Sequence, residues 1–409
     1  MLRRIAYLIF ALALLIGMGM PANTLASDTT GNMAYRWQGM KNMDQNSDID
    51  DAQGAGHMRS RVTFSGDVNQ DASYNLTVEN YQIFGDADPD VNSIYQATFT
   101  MHDFLFEDFD VTLGRMPMAY GRERLIGVED WDLSTNILFE GVHGRYGFDD
   151  GWLDYFNFKL VETFGGKYTA PVGMGDTDIM GLYLHYDASP DFFFEPYVMF
   201  LNTENWSTGE IDDDGTFVFG GLFDYIHEGI HFYGEVVAQA GTSHYDHDTM
   251  TERELDMSGL GYYAGLFYDF ESEVEPFIGF EYNYASGDDI STADKDEGFD
   301  APFGSASEFL GIMNVVDWCD LTALRFAGGF TPTEGLDVTV DFFLFTLGED
   351  NGGEDAVGNE IDVKLDYDLN ADVDLEAGFG MFTYDEQSTM YVDPGDSEYF
   401  AWAGARLDF

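Results

Sequence analysis

Alternation with a period of two runs through most of this chain. In residues 398–409, Tyr399, Ala401, Ala403, Ala405, Leu407 and Phe409 fall on one face, with Glu398, Phe400, Trp402, Gly404, Arg406 and Asp408 on the other. That is the repeat of a strand and not of a helix. Apolar sets of the same kind are Phe217, Phe219, Phe223 and Tyr225; Ile278, Phe280, Tyr282 and Tyr284; and Ile361, Val363, Leu365 and Tyr367. The faces opposite the last two sets carry Glu281 and Asn283, then Asp362, Lys364 and Asp366. Strands are predicted at residues 32–40, 58–66, 72–84, 91–103, 109–118, 138–148, 153–164, 178–187 and 192–202. They continue at 216–226, 230–241, 258–270, 275–286, 321–331, 336–347, 359–369, 372–384 and 398–409, about eighteen in all.

The gaps between these segments alternate long and short. Asp149-Asp150-Gly151-Trp152, Ala188-Ser189-Pro190, His227-Glu228-Gly229, Pro332-Thr333-Glu334-Gly335 and Asn370-Ala371 are tight turns, whereas residues 41–57, 119–137, 165–177 and 287–320 are long. An even set of antiparallel strands, with short turns on one side and long loops on the other, is the pattern of a bacterial outer-membrane barrel. Each segment is long enough to cross a bilayer when tilted. The last strand, ending on Phe409, is expected to pair with the first, because lipid cannot satisfy an open sheet edge. The fold class predicted is an all-β, up-and-down transmembrane barrel in one domain, residues 27–409. No later apolar run is long enough to span as a helix.

Residues 1–26 predict a secretory signal: Arg3 and Arg4, an apolar run from Ile5 to Met20, and the small-residue site Thr24-Leu25-Ala26. One cysteine, Cys319, excludes an intrachain disulfide framework and reads as a lone unreactive loop thiol. With 17 basic and 76 acidic residues the formal charge is −59, and loss of Arg3 and Arg4 with the leader makes it more negative. Such a charge excludes nucleic acid as a partner. The acid content alone would suggest disorder, but 36 Phe, 24 Tyr and 6 Trp contradict that. Outer-membrane lipid and lipopolysaccharide are the expected surroundings, and the oligomeric state is not readable.

By this phase Arg36, Arg59, Arg61, Arg145, Lys159, Arg325, Lys364 and Arg406 point inward. So do Glu79, Glu195, Asp224, Glu235, Glu281, Asp341, Asp362, Asp366 and Glu376. Arg115 breaks phase with Val111 and Leu113, and a bulge near Gly114 would aim it inward as well. A charge facing mid-bilayer costs about 2–4 kcal/mol for Arg or Lys, so the polar face should line the lumen. The lumen is therefore expected to be mixed in charge, the alternative being an ion-pair lattice that seals it.

Three patches resemble the bacterial alginate-export family of outer-membrane barrels. Residues 112–146 contain L-G-R-M-P-M-A-Y-G-R-E-R-L-I-G-V-E-D-W and then F-E-G-V-H-G-R-Y, with Glu140 where the family has Asp. Residues 281–311 contain Y-A-S-G-D-D and G-F-D-A-P-F-G, and G-N-E-I-D-V follows near residue 360. The resemblance implies an eighteen-stranded channel whose namesake passes an anionic uronate polymer along an arginine-rich interior. It marks Arg115, Arg122, Arg124 and Arg145 as ligand contacts. For Arg122 and Arg124 a loop ion pair with Glu123, Glu129 or Asp130 is the competing expectation. The acid excess should make a mouth that repels polyanions, which favours a passive channel for polar solutes or sugars over a dedicated polysaccharide exporter.

The alternatives are a barrel enzyme acting on lipid or polysaccharide and a plugged structural or adhesive barrel. Gly395-Asp396-Ser397 has no placed histidine, Glu210–Gly215 lacks the twelfth-position Glu of a calcium loop, and His244-Tyr245-Asp246-His247-Asp248 reads as a solvated loop. No catalytic residue, protein-metal site or cofactor is expected, save Ca²⁺ held between acidic outer loops and lipopolysaccharide phosphates.

Overall fold

The computed structural model describes residues 26–42, 52–85, 91–128, 137–161, 177–206, 211–246, 251–292, 294–301, 303–304, 309–349, 355–385 and 396–409. The leader and much of the acidic loops, including residues 43–51, 86–90, 207–210 and His247-Asp248, lie outside them.

The strands are β1 (Ala26–Lys41), β2 (Gln53–Asn69), β3 (Ala72–Ile83), β4 (Val91–Met101), β5 (Phe109–Met116), β6 (Phe139–Phe148) and β7 (Gly151–Val161). They continue with β8 (Thr177–Ser189), β9 (Phe192–Trp206), β10 (Ile211–His227), β11 (Ile230–Asp246), β12 (Thr251–Met257), β13 (Leu260–Asp269) and β14 (Phe277–Ala285). The rest are β15 (Lys295–Asp296), β16 (Leu321–Thr333), β17 (Leu336–Leu347), β18 (Ala356–Asn370), β19 (Val373–Tyr384) and β20 (Ser397–Asp408). β12 and β13 both pair with β11 and form one interrupted wall strand, while β15 is a two-residue parallel addition to β12. The wall is thus a closed antiparallel barrel of 18 strands. Among the described residues no helix is long and apolar enough to cross a membrane, so the crossing is made by strands.

Closure is made by β1, which pairs with β2 on one side and β20 on the other. Met33 faces Leu407 and Tyr35 faces Ala405, and Gly31 and Phe409 exchange two backbone hydrogen bonds of 2.7 and 2.9 Å. Among the described residues each wall strand is paired on both sides, which leaves no open sheet edge for lipid to solvate. The outer face is apolar where the alternation requires it: Phe217, Val236, Leu266, Ile278, Phe280, Phe326 and Leu344 are exposed. A continuous exposed apolar surface of this kind is what a bilayer covers and water does not.

Several strand boundaries differ from the sequence reading, and β12 falls wholly inside an expected loop. β10 starts at Ile211 and β11 runs to Asp246, so stretches expected as loop are strand. Inter-strand hydrogen bonding overrides the weak propensity of Asp212-Asp213-Asp214 there, pairing them with Asn205, Glu204 and Thr203.

Candidate functional site in the barrel interior

Two long loops enter the lumen. The first follows β5. Gly121, at φ +57, and Glu123, at φ +59, fold residues 120–126 into a tight turn, with Tyr120 N donating to Ile126 O at 3.0 Å. A Cβ on Gly121 would sit 3.1 Å from both Leu222 and Tyr183, so a side chain there would press on both and strain the left-handed backbone. The turn delivers three side chains to three parts of the wall. Tyr120 stacks on Tyr183 at 4.2 Å and donates to Asp154 at 2.8 Å. Arg122 lies over the Tyr233 ring at 3.6 Å and 3.6 Å from Asp224. Arg124 is 4 % exposed; it donates to Glu281 at 2.6 Å and to Asn283, with Tyr263 and Phe309 against its guanidinium.

The second loop joins β14 to β16. Ile126 bridges to Phe303, and Gly127 N donates to Phe303 O at 2.9 Å, so the loops are bonded to each other. Further along, Ile312 N donates to Asp362 at 3.1 Å and Met313 N to Glu360 at 2.8 Å. Gly311, at φ +99, makes this docking possible, since a Cβ there would lie 2.5 Å from the Glu360 carboxyl. Trp318 Nε1 donates to Tyr284 O at 3.1 Å. The loops therefore reach from β7 across to β18.

Beneath them the wall carries a series of tyrosine–carboxylate bonds. Tyr183 donates to Glu195 at 2.5 Å, Tyr197 to Glu235 at 2.6 Å and Tyr233 to Glu281 at 2.5 Å. Asp154, fully buried, takes Tyr120 and both bonds of Arg145 at 2.7 Å, with His143 Nε2 2.8 Å away. Around these groups Phe139, Phe156, Phe158, Phe343, Phe345 and Phe382 are buried. A buried carboxylate is tolerable only with such partners.

The inward residues singled out from sequence fall into four places. Arg122, Arg124 and Glu281 meet under the first loop, with wall and not loop carboxylates as the partners of both arginines. Asp362 holds the second loop, and Arg325 is paired within the wall to Asp341 at 2.8 Å. On the far wall Arg59 is buried, and Arg61 bonds Glu79 at 2.7 Å and covers the Tyr95 ring at 3.6 Å. Arg145, Lys364 and Arg406 lie on inward positions toward the short-turn end, where Arg145 and Arg406 are about half exposed.

Arg115 and Lys159 do not face the lumen. Arg115 is in register with Ala97 and Glu140, Glu140 with Lys159, and Lys159 with Asp178, all on the outward row. No bulge occurs at Gly114, because β5 holds unbroken register with both neighbours. Lys159 shares its face with the exposed Leu153 and Tyr155. Near the membrane interface an outward charge costs only about 0–1 kcal/mol, so nothing forces these two inward.

Tyr120, Tyr183, Tyr197, Asp154 and Glu360 were not anticipated. For Tyr197 and Glu360 the available signal was parity, which they share with Glu195 and Asp362; Tyr120 lies in a loop, where periodicity gives no signal. Ser397, weighed as a nucleophile, is on the outward face and bonded to Thr383 at 2.8 Å. Among the described residues no group of three or more His, Cys, Asp or Glu side chains could hold a metal.

An apolar-coated closed barrel with polar groups and two loops inside it defines an outer-membrane channel. The family model for alginate export matches residues 33–386, and the chain belongs to that family. Its fold is similar to Pseudomonas aeruginosa OccK8 (OprE), at 11% identity and TM-score 0.63 over 94% of this chain and 98% of that one. Acinetobacter baumannii OccAB2 is similar at 12% identity and TM-score 0.62, over 93% and 98%. Pseudomonas aeruginosa OccK11 (OpdR) gives 11% and 0.61, over 94% and 96%. No curated protein sequence matches the chain.

Proposed function

We propose that this outer-membrane channel passes small polar solutes, favours cations, and does not thread an extended polyuronate while its two loops are seated. The observation that carries this is the anchoring of Arg124. It is buried, charge-paired and hydrogen-bonded, and it sits on a loop that is itself bonded to the second loop. Charge-assisted bonds of this kind are about twice as strong as neutral ones. An extended chain of sugars would have to displace them. Cation preference follows from the excess of 76 acidic over 17 basic residues. We take residues 27–409 as the mature barrel. We propose no enzymatic role, since Ser397 faces away from the lumen.

Planar-bilayer recording tests the reading. The expected result is a small, cation-selective conductance that rises when Arg124→Gln releases the first loop. A large anion-selective conductance, blocked by oligouronate and indifferent to Arg124→Gln, would overturn it.

A further inference from the structure

Among the described side chains, formal charge on the lipid-facing surface is confined to one rim. Among wall-strand residues whose side chains are described, β12 and β15 aside, the outward positions that carry it are Lys41, Arg115, Glu140, Lys159 and Asp178. Each lies at or one or two residues from the long-loop end of its strand. Four of them form a row across β5, β6, β7 and β8, alternating in sign. Arg115 Nη1 is 3.1 Å from Glu140, Glu140 is in register with Lys159, and Lys159 Nζ is 3.3 Å from Asp178. The next outward row toward the short turns is Phe99, Leu113, Val142, Asn157, Met180 and Phe200. On the opposite arc, β13 and β14 carry Tyr262, Tyr282 and Tyr284 outward, with ring centroids 5.0 and 5.9 Å apart from Tyr262.

Long loops are extracellular in such barrels, so this row sits at the headgroup level of the outer leaflet. We infer that Arg115 and Lys159 form a binding site for the phosphate groups of the outer-leaflet glycolipid. Guanidinium and ammonium donors at that depth meet phosphate oxygens, and Arg suits bidentate phosphate contact. The existing pairs do not oppose this. The side chains of Arg115 and Glu140 are 40% and 58% exposed and those of Lys159 and Asp178 36% and 37%, and exposed ion pairs exchange partners at little cost. Glu140 and Asp178 hold the two cations apart along the wall. A second protomer fits the row less well, because the cores of protein interfaces are depleted in charge. This site is independent of what the lumen passes.

The test is thermal unfolding of the detergent-solubilised mature protein with bisphosphorylated lipid A, dephosphorylated lipid A, or inorganic phosphate. Only the first should raise the midpoint, by about 3 °C. The double variant R115Q/K159Q should lose that rise, and R115K/K159R should keep it, which guards against a simple folding defect. Equal stabilisation of wild type and R115Q/K159Q, stabilisation by inorganic phosphate or dephosphorylated lipid alone, or none with any addition, would overturn the inference. So would K159C forming efficient cross-links between copies in native membranes.

Discussion

The interior has two arcs that use the same chemistry differently. From β8 to β14 the carboxylates Glu195, Glu235 and Glu281 are satisfied largely by tyrosines, and the cations Arg122, at Asp224, and Arg124, at Glu281, arrive on a loop, whereas Asp154 on β7 takes Arg145 from the neighbouring wall strand. Around β2, β3, β16 and β17 the pairs Arg61–Glu79 and Arg325–Asp341 join neighbouring wall strands. The second arc is complete in itself. The first is not: without the loop, Glu281 keeps Tyr233 and Asn283 but loses its cation. Where a wall depends on a loop for its charge balance, stability and permeation become one property.

Arg124→Gln should therefore have the largest effect. It strands a buried carboxylate, a loss of about 3–5 kcal/mol, seen as lowered resistance to heat or urea, and it should open the lumen as well. Adding Glu281→Gln should recover much of the stability and leave the conductance high. Arg61→Gln breaks a comparably buried pair in the other arc and should cost about as much. Conductance through the folded fraction should not change, because no loop is released. If both variants altered conductance alike, the distinction between the arcs would be wrong. Tyr197→Phe removes one donor from Glu235 and should cost about 1–3 kcal/mol, read by the same unfolding curves. The smallest effect concerns the second loop. Although Cys319 is exposed, desolvation of its thiol by the surrounding chain, with Asp317, Asp300 and Asp320 nearby, pushes it up to about 11. The reactive thiolate is therefore scarce at pH 8 and gathers only as pH rises toward that value. Alkylation at pH 8 should be slow, and Asp317→Asn with Asp320→Asn should quicken it.

Much of the wall was legible in the sequence. Strand number, closure of the last strand on the first, and the inward face of Arg59, Arg61, Glu281, Arg325 and Asp362 all follow from parity and loop spacing. Arg115 and Lys159 were misplaced because their charge was allowed to outweigh the parity of Leu113, Leu153 and Tyr155. That charge penalty fades at strand ends, where both residues are. The filling of the lumen was not legible. Phe156 and Phe139 lie on inward parity, but they meet Tyr120 and Phe303 from the two loops, and local periodicity carries no trace of such partners. Arg124 and Glu281 are 157 residues apart. The local reading therefore weighed Glu123, Glu129 and Asp130 as partners instead.

The seam between β1 and β20 has a consequence for biogenesis. It joins the two ends of the sheet, so every other hairpin can form while this one is still waiting, and until it forms Ala26–Lys41 presents an unsatisfied backbone edge. Contacts so remote along the polypeptide are slow to find. The unclosed sheet would then need an escort through the periplasm and a template at the membrane, and a change that weakens the Gly31–Phe409 exchange should reduce assembled yield far more than it destabilises barrels already inserted.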